Sequence, residues 1–154
     1  MLISKVIGEK NILVPARSSE KGALFEEMVH ALEDLDDEID ADEVLQTLWK
    51  REDMLNTRVA PGIAIPHTQV RHLERTTGML AVSQQGVNYG LSDGEKIHII
   101  LMIVDDEHDT VEHLDTLRNF ALIAKNQRFV DQLKASRTPA EVVELIRRYE
   151  TMLK

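Results

Sequence analysis

Between Lys96 and Val104 the chain is apolar on both sides of a two-residue period: Ile97, Ile99, Leu101 and Ile103 alternate with His98, Ile100, Met102 and Val104. A strand covered on both faces belongs in the middle of a sandwiched sheet. Other stretches fall into place around it. Asn11-Ile12-Leu13-Val14-Pro15 reads as a short first strand closed by proline. A helix capped by Ser18 or Ser19 follows, its stripe Leu24, Met28, Leu32 and Leu35 widened by Phe25 and Val29. Asp40-Ala41-Asp42-Glu43 has capping-box spacing and opens a second helix with Val44, Leu45, Leu48 and Trp49 on its apolar face, ending near Asp53. Met79–Val82 and Val87–Tyr89 read as two strands about a turn at Gln85-Gly86.

Three helices are predicted after the central strand. Asp109-Thr110-Val111-Glu112 is a second capping-box signature, leading to a stripe of Leu114, Leu117, Ala121 and Ala124. Phe129, Val130 and Leu133 suggest a short helix, and Thr138-Pro139 starts the last one, with Val142, Leu145, Ile146 and Tyr149 on its buried side. The order of strand, two helices, a group of strands and three helices predicts an α/β fold, a three-layer α/β/α sandwich with a central mixed sheet. With 154 residues, no repeat and no linker composition, one domain over residues 1–154 is expected.

The stretch Pro61-Gly62-Ile63-Ala64-Ile65-Pro66-His67-Thr68 stands apart. Ile63 to Ile65 read as a short strand, and Pro66 interrupts the hydrogen-bond ladder, leaving His67 at a strand end on a stiff turn. The segment Gln69–Thr77 is polar and without clear period.

Composition narrows the chemistry. Cysteine is absent, which excludes disulfides, thiolate metal sites and thiol catalysis. A net charge of −9 argues against nucleic-acid binding. No apolar run is long enough for a bilayer, and the start lacks a signal-peptide pattern, so a cytoplasmic location without membrane insertion is expected. Lys50, Arg51, Arg58, Arg71 and Arg75 surround His67 in sequence and could receive an anion, although each taken alone is equally a solvated surface charge.

Six histidines are present. His67, His72, His108 and His113 lack the spacing of a metal motif, and no serine stands in a nucleophile elbow, so neither a metal centre nor a serine hydrolase is expected. His98 reads as a buried or edge residue. A neutral imidazole is a nitrogen nucleophile near pH 7, which leaves a phosphoryl acceptor at His67. Its donors would be Thr68, backbone N–H groups, Arg51 and His113, provided the fold brings them together.

Arg51-Glu52 through Thr57, followed by Gly62-Ile63-Ala64-Ile65-Pro66-His67, resembles the signature of the type 2 IIA domain of the bacterial phosphoenolpyruvate-dependent phosphotransferase system, the fructose, mannitol and nitrogen-regulatory group. Glu112-His113-Leu114-Asp115-Thr116-Leu117 resembles the helix that carries that family's second histidine. The resemblance extends from Ile12 to Ile146. It implies that His67 accepts a phosphoryl group from the phosphohistidine of an HPr-like carrier protein, and passes it to a IIB partner or keeps it as a regulatory mark on a target. It makes His113 the neighbour of the active imidazole and Arg51 a basic group in the pocket, with no bound cofactor. The family commonly has glycine after the active histidine, where this chain has Thr68, a β-branched residue that adds a hydroxyl donor. A glycine common near Arg58–Pro61 is replaced by Ala60 or displaced by Pro61. Without an attached transporter, the nitrogen-regulatory branch is favoured over a stand-alone sugar subunit. The alternative is a regulatory module of the same fold that docks a protein partner without carrying phosphate.

Overall fold

The computed structural model describes residues 3–54, 58–71, 73–108 and 110–153, with the side chains of residues 53, 54 and 110–113 outside that description. A short helix α1 (Ile3–Val6) and a 3-10 turn precede β1 (Ile12–Leu13), α2 (Lys21–Leu35) and α3 (Ala41–Met54). The strands β2 (Arg58–Ala60), β3 (Ile63–Ala64), β4 (His67–Val70), β5 (Thr77–Asn88) and β6 (Lys96–Asp106) come next, and α4 (Thr110–Ile123), α5 (Gln127–Ala135) and α6 (Pro139–Thr151) close the chain. The strands form one mixed sheet in the order β1-β5-β6-β3-β2, with β4 also paired to β6. Pairing is antiparallel for β5–β6 and β2–β3 and parallel for β1–β5, β3–β6 and β4–β6.

The sheet separates two apolar layers. On one side Ile99, Leu101 and Ile103 of β6 pack with Ile3, Phe120, Phe129, Leu133, Val142 and Ile146, which come from α1, α4, α5 and α6. On the other, Ile100, Met102 and Val104 pack with Leu24, Phe25, Met28, Leu32, Val44 and Leu48 of α2 and α3. This is the expected three-layer arrangement around a doubly covered β6. Ile97 departs from it, lying in the α2/α3 layer rather than with Ile99. The ladder accounts for the change: Val82 pairs with Ile99 but Val87 with Ile97, so a bulge intervenes. The same bulge replaces the expected turn, and the two expected strands are one, β5. Ser83 closes the irregularity by accepting the Gly86 N–H at its Oγ (3.0 Å) and, at its carbonyl, bonding His98 Nδ1 (2.9 Å).

Several expected boundaries move for local reasons. Asp40 caps α3 as its spacing predicts, its Oδ1 accepting from the N–H groups of Asp42 (3.1 Å) and Glu43 (3.4 Å). Thr138 likewise caps α6, where Pro139 opens the helix. Neither Ser18 nor Ser19 caps α2; the N-cap is Glu20, and the Ser18 hydroxyl instead donates to Glu27. Leu35, expected on the buried stripe of α2, is exposed at the helix end. In α4 the buried stripe is Thr116, Phe120 and Ile123 with Ala124 just beyond it, and Leu114 is exposed, so the helix is rotated from the expected stripe. The larger Phe120 and Ile123 bury more apolar surface than the alanines that suggested the original face. Asp109, the expected cap of α4, lies outside the described residues.

Candidate active site

The backbone that carries His67 is prepared by Gly62. This glycine has a φ of 78°, a left-handed conformation that disfavours other residues, and it turns the chain from β2 into β3. Its carbonyl accepts from the N–H groups of His98 (2.8 Å) and Ile99 (3.0 Å), and its own N–H donates to Glu95 Oε1 (2.6 Å). From there the chain runs beside β6, pairing Ile63 with Ile99 and Ala64 with Ile100. Pro66 breaks the strand only nominally. Its carbonyl accepts from Ile103 N–H at 3.0 Å, and β4 resumes with His67 opposite Ile103 and Thr68 opposite Val104. His67 therefore begins a strand instead of ending one, and the polar segment after it contains β4.

The hydrogen bonds of His67 define its reactive nitrogen. Nδ1 lies 2.9 Å from the carbonyl oxygen of Ile65, which can only accept, so Nδ1 carries the proton. Nε2 then holds the lone pair, and Arg51 Nη2 lies 2.9 Å from it as donor. Arg51 is exposed in the last turn of α3, a helix that packs against β4. Burial holds the imidazole pKa below its ordinary value. The Ile65 carbonyl opposes that lowering, the Arg51 cation adds to it, and the Glu52 carboxylate opposes it. The outcome is a partly buried, neutral imidazole with a defined tautomer and a guanidinium beside its free nitrogen.

The other candidates separate. Arg58 donates to Asp93 at 2.6 Å and Arg71 lies 3.9 Å from Glu107, so neither reproduces the contact of Arg51 with the imidazole. Thr68 is 4% exposed and follows His67 in the strand, so its side chain leaves from the opposite face and is turned inward. His113 falls in the first turns of α4, but its side chain lies outside the described residues, as does His72 altogether. His108 is exposed beside Glu107. Among the described residues no cluster of three metal-ligating side chains occurs.

One participant escapes sequence reasoning, the carbonyl of Ile65, which no side-chain pattern announces. Glu52 stands at the next step of the spacing Val44, Leu48, where an apolar residue is due, and is buried there beside Lys21 and Tyr89.

Comparison with known proteins now decides the family. Residues 5–149 match the family described as the phosphoenolpyruvate-dependent sugar phosphotransferase system, EIIA 2. The chain belongs to this family. As a type 2 EIIA chain, it is 24% identical over 150 residues to the "PTS system fructose-specific EIIABC component" of Bacillus subtilis (strain 168), covering 97% of this chain but only 24% of that protein. It is also 24% identical to a "Nitrogen regulatory protein" of Pseudomonas aeruginosa, covering 89% of this chain and 93% of that one. The fold is shared with IIA-Ntr of Neisseria meningitidis, with a TM-score of 0.84 at 24% identity over 94% of this chain and 98% of the other. It is shared as well with enzyme IIA mannitol of Escherichia coli, solved in a complex with phosphorylated enzyme IIB mannitol: TM-score 0.77 at 18% identity, over 92% and 97% of the two chains. Among the described residues of this EIIA chain, no helix is long and apolar enough to cross a membrane.

Proposed function

We propose that this EIIA chain, acting as one domain over residues 1–154 in the cytoplasm, is a histidine phosphocarrier whose acceptor atom is Nε2 of His67. The observation that carries the reading is the pair of contacts on one ring, Nδ1–H fixed on the Ile65 carbonyl and Nε2 left as an acceptor under Arg51. Uptake forms a bond from Nε2 to phosphorus as the donor's own nitrogen–phosphorus bond breaks, and that bond's electron pair returns to the donor imidazole. No proton has to leave His67, because the attacking nitrogen bears none. The added group brings one net negative charge, as two on the phosphoryl oxygens against one positive on the ring. Arg51 needs only to shift its donors from Nε2 to a phosphoryl oxygen to meet it.

The donor would be an HPr-like phosphohistidine protein, and the acceptor a IIB domain or a regulatory target. The complex of the mannitol relative with its phosphorylated IIB partner supports an acceptor of that kind. Near full-length matches to nitrogen-regulatory proteins favour that branch. His113 would complete the pocket from α4. Thr68 would contribute through its main chain more readily than its hydroxyl, given its inward side chain.

Incubation with phosphoenolpyruvate, enzyme I and the carrier protein should add one acid-labile phosphate, read by intact mass; no gain with partners known to be competent removes the reading. A second expectation concerns pH. A lowered pKa keeps His67 neutral and nucleophilic as pH falls through the ordinary histidine range, and reactivity is lost only below it. A nuclear magnetic resonance titration of the His67 ring should therefore have its midpoint below that of a histidine in a free peptide. A midpoint above would contradict the burial that shapes the site.

A further inference from the structure

Gln69 is a polar side chain that neither the packing nor the chemistry above uses. It follows His67 by two residues in β4, so the two side chains leave from one face, while Thr68 and Val70 turn inward on the other. On that shared face His67 lies opposite Ile103 and Gln69 opposite Asp105. Both are half-buried. The Gln69 carboxamide makes no hydrogen bond among the described residues. Asp105, its partner across the ladder, is engaged elsewhere: Oδ1 accepts from the Thr76 hydroxyl and from the Asp106 N–H, both at 2.8 Å. The main chain adds a second donor. The carbonyls of Pro66 and Val70 accept from Ile103 N–H (3.0 Å) and Glu107 N–H (2.9 Å), so these residues bond towards β6 and the N–H of Gln69 faces the opposite edge. Among the described residues no strand pairs with β4 on that edge. A charged or aliphatic side chain would serve the fold equally well at such a place; what glutamine adds is N–H donors without a charge.

We propose that Gln69 is a phosphoryl-holding residue, its carboxamide donating to an oxygen of the group carried on His67 Nε2. The inference rests on His67 being the acceptor. A phosphoryl group presents three acceptor oxygens, and the Arg51 guanidinium, 2.9 Å from Nε2, meets two at most with its fork of donors. Residues two apart on a strand stand about 7 Å from one another along the main chain. The long glutamine side chain and the added phosphoryl group together close that gap. Before uptake the amide has no contact with the imidazole, so it leaves the nucleophile undisturbed. A neutral donor also grips the dianion less than a second cation, and a carrier has to release its cargo again.

Gln69→Leu keeps the bulk and removes the side-chain donors. The equilibrium constant for uptake from the phosphorylated carrier should fall about tenfold, the scale of one hydrogen bond to a charged group. The affinity for the unphosphorylated carrier and the titration of the free His67 ring should stay at the parent's values. Gln69→Glu, which keeps the shape but puts a negative charge in place of the donors, should lower the constant further. A residue that merely shaped the docking surface would change carrier affinity instead, and one that only supported β4 would shift the ring titration and the melting curve. Either pattern, or an unchanged uptake constant, overturns the proposal. If Gln69→Leu fails to fold, the parent decides alone: the side-chain amide resonances of Gln69 should shift on phosphorylation, and their constancy overturns it. A parent that takes up no phosphate would count against the phosphocarrier reading. The donor role is then read separately by titration with inorganic phosphate, in which the Gln69 amide signals move together with those of the Arg51 guanidinium; fixed Gln69 signals overturn it.

Discussion

Replacing His67 with alanine is expected to abolish phosphoryl uptake, with the intact mass unchanged after exposure to the full donor chain. The expectation follows because Nε2 supplies the electron pair of the new bond, and among the described residues no neighbouring side chain is placed to substitute. Cysteine is absent, and the hydroxyl of Thr68 is turned inward from the same strand. The substitution should leave the fold standing. It removes a partly buried ring and its contacts with Ile65 and Arg51, a change on the order of 1 kcal/mol for hydrogen bonds of this type. Circular dichroism and a melting curve close to the parent would establish that lost uptake reflects lost chemistry. Persisting uptake would place the acceptor elsewhere. If the parent itself takes no phosphate, while both parent and variant bind the same partner, the chain acts as a docking module and the imidazole is incidental to it.

Arg51→Met should slow uptake about a hundredfold, the scale found when a preorganised donor is removed from the place where charge develops. The exposed methionine keeps much of the aliphatic length and so spares the packing of α3. It also removes a cation that lowers the imidazole pKa, so the ring should titrate at higher pH than in the parent. The two effects have a common origin in the guanidinium beside Nε2. Arg51→Lys should recover part of the rate, since it restores the charge but not the planar fork of donors. Initial rates from a time course of intact mass measure all three proteins, and a rate equal to the parent's in Arg51→Met would remove this residue from the chemistry.

How much of this was legible beforehand depended on whether a signal was local. The apolar alternation of β6 from Ile99 to Val104 and the proline-opened start of α6 are properties of adjacent residues and are visible in the sequence, whereas the crossing of Ile97 to the other layer follows from the bulge in β5. The motif at Ile63–His67 was recognisable for the same reason. β4 was not, because its inward residues Thr68 and Val70 alternate with His67 and Gln69, and only Val70 is apolar; its pairing with β6 makes it a strand. The rotation of α4 depends on what Phe120 meets across the layer, an edge-on contact with Phe129 at 6.3 Å that no periodicity within one helix contains. The contact between Arg51 and His67 likewise needed the third dimension. Sequence made them candidates, and the packing of α3 on β4 made them neighbours.

Strands β3 and β4 keep one register against β6 despite the proline between them, as the pairs Ile63–Ile99 and His67–Ile103 preserve the same spacing on both chains. They act as a single ruler with a notch cut in it. An extra residue inserted between Ala64 and His67 would slide every later side chain to the other surface, sending the imidazole indoors and bringing the threonine out. The segment that looks like a loop in sequence thus has the least freedom to change length, and variation that adapts such a carrier to new partners has to be found around the nucleophile instead of under it.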